Sequence, residues 1–324
     1  MRSIQTETRF PLDSVKPLEA LGRYRDHCLS ETRKAMEKGA VRRTASPVTG
    51  SPLQPFGKVG SFEYLICPDT GSLFLADLPR PEEWAALLGR IHRHRHSPGG
   101  FHSEIAVSRG ANVHQPKVEW ILETLALQGI RRPALLEAGM PPSDLAGLLT
   151  QSGAFSRVEC VEETALAQGG APLQASLEGA FQVVVLPESL DRSDDPAGLL
   201  KRAIACLSRG GLLFLTALVA SGFDLQALGV ENQYLYPPDR TNCLTLAGLR
   251  RLLEGLKFDL LEVSTPGVLD VEIVQAHWAR DPSLPLSRFE RSVVLSDEPT
   301  RRAFQAFLQE RALSSYARVA ARKP

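Results

Sequence analysis

The chain has 324 residues, and its 37 lysines and arginines balance 37 aspartates and glutamates. That length suits a substantial core plus an accessory module, and the charge balance excludes the footprint of a nucleic-acid or acidic-membrane binder, leaving a small molecule or another protein as the expected partner. Scattered cysteines (Cys28, Cys67, Cys160, Cys206, Cys243), an N-terminus without the apolar core of a signal peptide and the lack of any membrane-length apolar run predict a reduced, soluble, cytoplasmic protein.

The N-terminal region, residues 1–114, reads as a helical arm followed by a small ribbon-like module. Leu21, Tyr24 and Cys28 recur at helical spacing within a helix predicted from about Leu18 to Lys38. Two turns with the same lettering follow, Pro47-Val48-Thr49-Gly50-Ser51 and Pro68-Asp69-Thr70-Gly71-Ser72. Paired turns of this kind close a zinc ribbon when four thiolates face one another. Here Cys67 holds one ligand position while Ser46, Thr49 and Thr70 hold the others, and neutral hydroxyls do not replace thiolates, so no metal is expected. The flanking segments Phe62–Ile66 and Ser72–Leu75 are predicted to pair as strands through apolar contacts. A helix from about Arg80 to His94 has Glu82 and Glu83 near its start and Arg90, Arg93 and Arg95 near its end, as its dipole favours. His92 and His96 stand four apart there, and their reading is as cations at a helix end.

A helix from about Gln115 to Gln128 opens the second region, residues 115–324, where strands and helices alternate. Strands are predicted at Ala134–Ala138, Arg157–Val161, Phe181–Leu186, Leu212–Leu218 and Phe258–Ser264. Ser143 caps the first intervening helix, and Thr245 caps the one before the last of these strands. A helix near Ala197–Ser208 is expected to stop at Gly210-Gly211. Such alternation predicts a mostly parallel sheet with right-handed crossovers.

Several short motifs carry a family resemblance. Strand one ends Glu137-Ala138-Gly139-Met140-Pro141-Pro142-Ser143, with Pro141 and Ser143 in place of further glycines; strand two ends Cys160-Val161-Glu162-Glu163. The run Glu188-Ser189-Leu190-Asp191-Arg192 and the turn Leu207-Ser208-Arg209-Gly210-Gly211-Leu212-Leu213 complete the set. From about residue 46 onward, the chain resembles class I S-adenosylmethionine-dependent methyltransferases, in particular a subgroup with a zinc-ribbon module among sugar- and polysaccharide-associated C-methyltransferases. The resemblance implies a Rossmann-like α/β sheet of seven strands, the last antiparallel. Leu313–Ala321 is assigned to strand seven, which makes residues 266–312 a mainly helical insertion.

The resemblance also implies S-adenosyl-L-methionine as cofactor, with Glu137, Gly139, Glu162 and Glu188 at its site, Glu162 reaching the ribose hydroxyls. Transfer from a sulfonium needs alignment more than a nucleophile, so no Ser-His-Asp arrangement is required. Tyr234, Tyr236, Asp239 and His277 are candidate general bases because they lie in loops after the late strands. The acceptor, a small molecule such as a sugar or biosynthetic intermediate, is expected over the carboxyl ends of the strands, where Tyr234, Tyr236, Asp239 and Arg240 line a crevice. The competing reading is a non-catalytic scaffold or regulatory partner that has lost the cofactor. A nucleotide-sugar oxidoreductase is less consistent, since Gly-x-Gly-x-x-Gly and Tyr-x-x-x-Lys are both absent. Whether the chain pairs with itself or with another protein is left open.

Overall fold

Buried positions three and four apart, Leu21, Tyr24, Cys28, Thr32 and Ala35, hold the long helix Leu18–Glu37 against the rest of the protein. The computed structural model describes residues 10–98, 100–140, 143–168 and 176–324. After the helix come β1 (Ala40–Arg42), β2 (Gln54–Val59), β3 (Phe62–Ile66), β4 (Leu73–Leu75) and β5 (Asp77–Pro79). β1 pairs with β5, while β2, β3 and β4 form an antiparallel sheet completed by β10 (Asn242–Cys243).

The continuous apolar runs of the second region become the buried middle of a larger sheet. It contains β6 (Ala134–Gly139), β7 (Arg157–Glu162), β8 (Phe181–Pro187), β9 (Leu207–Leu218), β11 (Asp259–Ser264) and β12 (Tyr316–Arg322) in the order β11-β12-β9-β8-β6-β7. The four strands from β6 to β9 run parallel, and β12 lies antiparallel between β9 and β11. Three helices, Asp270–Arg280, Arg288–Val294 and Glu298–Glu310, separate β11 from β12.

Two expectations change. Among the described residues the sheet has six strands, not seven: the chain passes from β7 straight into the helix Glu163–Gln168, which leaves β7 at the edge. The glycine pair does not end a helix either. The helix Pro196–Cys206 stops earlier, β9 begins at Leu207, and pairing jumps from Phe181↔Leu207 to Val183↔Leu212. Residues 208–211 bulge out there because Gly210 takes a φ of +73° and a side chain at Gly211 would strike the Ser208 and Gln182 carbonyls. The helix Phe101–Arg109, a π-helical turn Gly110–His114 and the helix Gln115–Leu127 run on from one another, and the two regions share both the β4–β10 pairing and a core in which Tyr64 and Leu75 join Leu218 and Tyr236.

The paired turns sit side by side in the N-terminal sheet, each closed by a left-handed glycine, Gly50 and Gly71. Hydroxyls take the bonding inside them. Ser46 Oγ accepts from the amides of Val48 (3.2 Å) and Thr49 (3.3 Å), Thr49 Oγ1 lies 3.5 Å from Cys67 Sγ, and Thr70 Oγ1 donates to Ser72 Oγ at 3.0 Å. Ser72 Oγ in turn accepts from the Thr245 amide at 3.0 Å, tying the turn to the cap of the helix Leu246–Gly255. Burial pushes the Cys67 thiol up, but hydrogen bonds from Thr49, Thr70 and Ser46 outweigh it and bring it down to about 7.

Candidate functional site

The carboxyl ends of β6 and β8 converge beneath two adjoining cavities. The smaller, about 70 Å³, is lined by Glu137, Met140, Ser143, Lys117, His114 and neighbouring side chains; the larger, about 170 Å³, lies between the N-terminal segment, the loop before β10 and the start of β12. Arg95, Arg109 and Glu188 line both, so the two spaces share a wall.

Glu137 lies within the buried stretch of β6 and is 1% exposed. Its Oε2 has no hydrogen-bond partner among the described residues. Burial raises its carboxyl to about 7, against a hydrogen bond from Ser143 and the charges of Lys117 and Arg192. Gly139 is tightly enclosed: a Cβ would come within 3.0 Å of Glu137 Oε1 and 3.2 Å of Pro187 Cγ, so both side chains would have to give way. Ser143 caps the helix Asp144–Gln151 by accepting from the Ala146 amide. Pro141, which stands at a glycine position of the motif, lies outside the described residues.

Glu188 follows β8 in the left-handed conformation (φ +60°), which turns its side chain between cations. Lys117 Nζ lies 3.3 Å from one carboxylate oxygen and Arg240 Nη2 3.4 Å from the other. Burial alone would raise this carboxyl, yet Lys117, Arg240, Arg192 and Arg109 hold it well below the usual carboxylate range. Asp191, one turn on, is raised to about 7 chiefly by burial, although Arg240 opposes this.

Tyr234, Tyr236, Asp239 and Arg240 all line the larger cavity. Asp239 accepts hydrogen bonds from two hydroxyls, Tyr24 at 3.3 Å and Tyr236 at 3.2 Å. Burial, reinforced by Asp239, keeps both phenols well above their ordinary value, and burial likewise raises Tyr234. The sequence-predicted residues are not all brought together. His277 lies outside both cavities, with Nδ1 2.8 Å from the Ile273 carbonyl and Nε2 accepting from the Gln233 amide at 3.4 Å. Glu162 is exposed at the tip of β7 and lines neither cavity, although pairing places it beside Gly139. Its neighbour Glu163 points inward and makes a two-bond pair with Arg192, each bond 2.8 Å.

Sequence reasoning passed over several cavity residues. Lys16 Nζ sits 4.0 Å above the Tyr234 ring, and burial together with Arg240 and Arg109 brings its ammonium down to about 8 despite Asp224 and Glu188. Nothing in the local sequence around Val15-Lys16-Pro17 marks it. Arg318 did carry a signal, being a charge in the middle of an apolar strand. Tyr24, on the N-terminal helix, has the spacing of an ordinary core residue.

Residues 114–263 match a family model described as a methyltransferase domain. No curated protein sequence matches the chain. Among solved structures, a 1,6-didemethyltoxoflavin-N1-methyltransferase from Burkholderia thailandensis, with 1,6-didemethyltoxoflavin and S-adenosylhomocysteine bound, is similar at 15% identity and a TM-score of 0.42, over 83% of this chain and 99% of that one. A phosphoethanolamine N-methyltransferase from Haemonchus contortus in complex with S-adenosyl-L-methionine is similar at 14% identity and a TM-score of 0.39, over 78% of this chain and 63% of that one. Residues 114–263 thus resemble a methyltransferase domain, and they supply most of a Rossmann-like α/β sheet. No helix among the described residues is long and apolar enough to cross a membrane.

Proposed function

We propose that this protein is an enzyme that transfers a methyl group from S-adenosylmethionine to a small-molecule acceptor held in the larger cavity. The observation that carries the reading is the make-up of the smaller pocket. Glu137 offers an acceptor oxygen with no partner, while Arg95 brings a guanidinium whose Nε has no hydrogen-bond partner, so an ammonium and a carboxylate on one ligand are both complemented. An amino-acid end has those two groups, which is the fit that S-adenosylmethionine requires. Gly139, closed against Pro187, keeps β6 tight to β8 beneath it.

When bound, S-adenosylmethionine supplies a methyl carbon already activated by the sulfonium. The chain's own residues then need to align the acceptor, exclude water and take a proton. Tyr24 and Tyr236 fix Asp239 in place, and their raised phenols keep them neutral donors at physiological pH. Lys16 is the cavity group best placed to accept a proton, because its amine is substantially neutral at mildly alkaline pH. Asp239 is the alternative base; His277 would act only through Gln233. The acceptor class suggested by the family resemblance is a sugar or another biosynthetic intermediate, and on the same reading the paired N-terminal turns descend from a metal-binding ribbon.

Calorimetric titration with S-adenosylmethionine and S-adenosylhomocysteine, beside NAD and a nucleotide sugar, tests the proposal. Binding of the first two alone is expected. Glu137→Gln should weaken S-adenosylhomocysteine by about 1.5–3 kcal/mol if the carboxylate meets the ammonium, and Glu162→Ala by less, since an exposed carboxylate gains less from one hydrogen bond. No binding of either cofactor form would turn the assignment to a non-catalytic scaffold.

A further inference from the structure

The carboxylates and the guanidiniums of the larger cavity differ in what they have left to give. Every carboxylate on its wall is already engaged: Glu188 with Lys117 and Arg240, Asp239 with Tyr24 and Tyr236, and Asp270 with the Ser314 hydroxyl (2.5 Å), the Ser315 amide (2.6 Å) and Gln305 (2.9 Å). Arg109 and Arg318 are not. Neither makes a hydrogen bond or ion pair with any described residue, and the Nε of each is buried without a partner.

Arg318 is only 8% exposed, in the middle of β12, its guanidinium carbon 5.4 Å from the Trp120 ring centre and 5.9 Å from that of Tyr316. Contact with ring faces orients the group and leaves its in-plane N–H donors unused. Tyr316 lies in the same wall, and its hydroxyl is likewise buried without a partner. Arg109, at the end of the helix Phe101–Arg109, is brought down to about 10 by burial and by the neighbouring charge of Arg95. Two cations whose Nε atoms are buried without a partner, and a phenol with no acceptor, are costly in a folded protein unless a ligand completes them.

The remaining wall limits the ligand's body. Leu21, Phe101, Val113, Leu218 and Ile273 are apolar, and about 170 Å³ is comparable to cavities of roughly 150 Å³ that accept a benzene-sized ring. We propose that the acceptor is a ring-sized small molecule bearing an anionic group, a carboxylate or a phosphate, bound by Arg318, Arg109 and the Tyr316 hydroxyl. This rests on the methyl-transfer reading for the word acceptor, but the anion site itself stands on the unspent donors.

The full chain, with and without saturating S-adenosylhomocysteine, is titrated with benzoate, phenyl phosphate, uncharged benzamide and inorganic phosphate. One of the two aromatic anions should bind roughly 10- to 100-fold more tightly than benzamide, and which one does so identifies the anionic group. Arg318→Met should abolish that preference while leaving affinity for S-adenosylhomocysteine, whose pocket Arg318 does not line, within about twofold. Tyr316→Phe, which keeps the ring, should reduce the preference by a smaller factor and serves if the arginine variant fails to fold. Equal binding of benzamide and the anions, no binding of either anion, or a preference that survives in Arg318→Met overturns the inference. Binding of inorganic phosphate without either aromatic anion overturns it too, as an adventitious ion only. If S-adenosylhomocysteine binds and the anion preference is absent, this inference fails alone; if the preference is present and S-adenosylhomocysteine does not bind, the methyl-transfer reading fails alone.

Discussion

The paired turns of the N-terminal sheet and the larger cavity are both polar clusters inside the protein, and they are opposites. In the turns, Ser46, Thr49, Thr70 and Ser72 spend their hydroxyls on neighbouring amides and on one another. In the cavity, Arg109, Arg318 and Tyr316 keep donors with no acceptor. A cluster that satisfies itself is finished as structure, whereas one that leaves buried charge uncompensated is finished only by something that binds. The comparison therefore separates a polar cluster that completes itself from one whose donors are left for a ligand.

Glu188 offers the strongest way to break that contrast, since it is the anion that makes the cationic wall tolerable. Glu188→Gln should cost about 3 kcal/mol in chemical denaturation, because it leaves Lys117 buried without its counter-charge and Arg240 with Asp191 alone, 3.6 Å away. Its depressed carboxyl also sets a sign with pH. Its stabilising contribution is full above about pH 4.5 and is lost as the pH falls toward its folded value, so the parent should show an acid-side loss that the variant lacks.

Glu137 runs the other way. Its folded carboxyl, near 7, lies above the unfolded value, so the folded state holds the extra proton and stability falls as the pH rises from about 4.5 to about 7. Glu137→Gln should be more stable than the parent by about 3 kcal/mol at roughly pH 8 and nearly equal to it at roughly pH 4, measured by urea denaturation at both. An equal effect at the two pH values would mean that the unpartnered oxygen is not a store of instability.

Smaller effects sharpen the other half of the comparison. Ser72→Ala removes the acceptor for the Thr245 amide and should cost about 1 kcal/mol. Smallest of all, prolonged treatment with a chelator should leave the melting temperature unchanged, because the four positions that would face a metal carry one thiol and three hydroxyls. A chelator-induced drop in melting temperature, with stoichiometric zinc in the untreated protein, would make the turns a site after all.

Much of the sheet was legible because strands buried on both faces are written as unbroken apolar runs, as in Val183–Leu186, and because Ser143 and Thr245 cap helices with ordinary local chemistry. The start of β9 was not, since Gly210-Gly211 has the lettering of a helix stop and only the pairing with β8 reveals a bulge. The site was legible where one loop supplies it. Tyr234, Tyr236, Asp239 and Arg240 lie within seven residues and line one cavity. Its other wall comes from Lys16, Arg109 and Arg318, joined only by the fold, so no local pattern connects them. Glu162 and Glu163 show the finest limit: pairing fixes where a strand ends, but the turn after it decides which of two adjacent carboxylates faces inward.

β12 has a consequence for how the molecule is made. β11 bonds to the rest of the sheet through β12 alone among the described residues, and β12 is reached only after the three helices between Asp270 and Glu310. During synthesis β11 therefore emerges well before the strand that gives it a place, and β9 meanwhile presents an open edge along residues 212–218. That edge is protected in the finished protein by the same strand that carries Arg318. Closing it late, across a long sequence separation, makes assembly slow relative to helix formation and leaves an interval in which the nascent sheet is most prone to pair with the wrong chain.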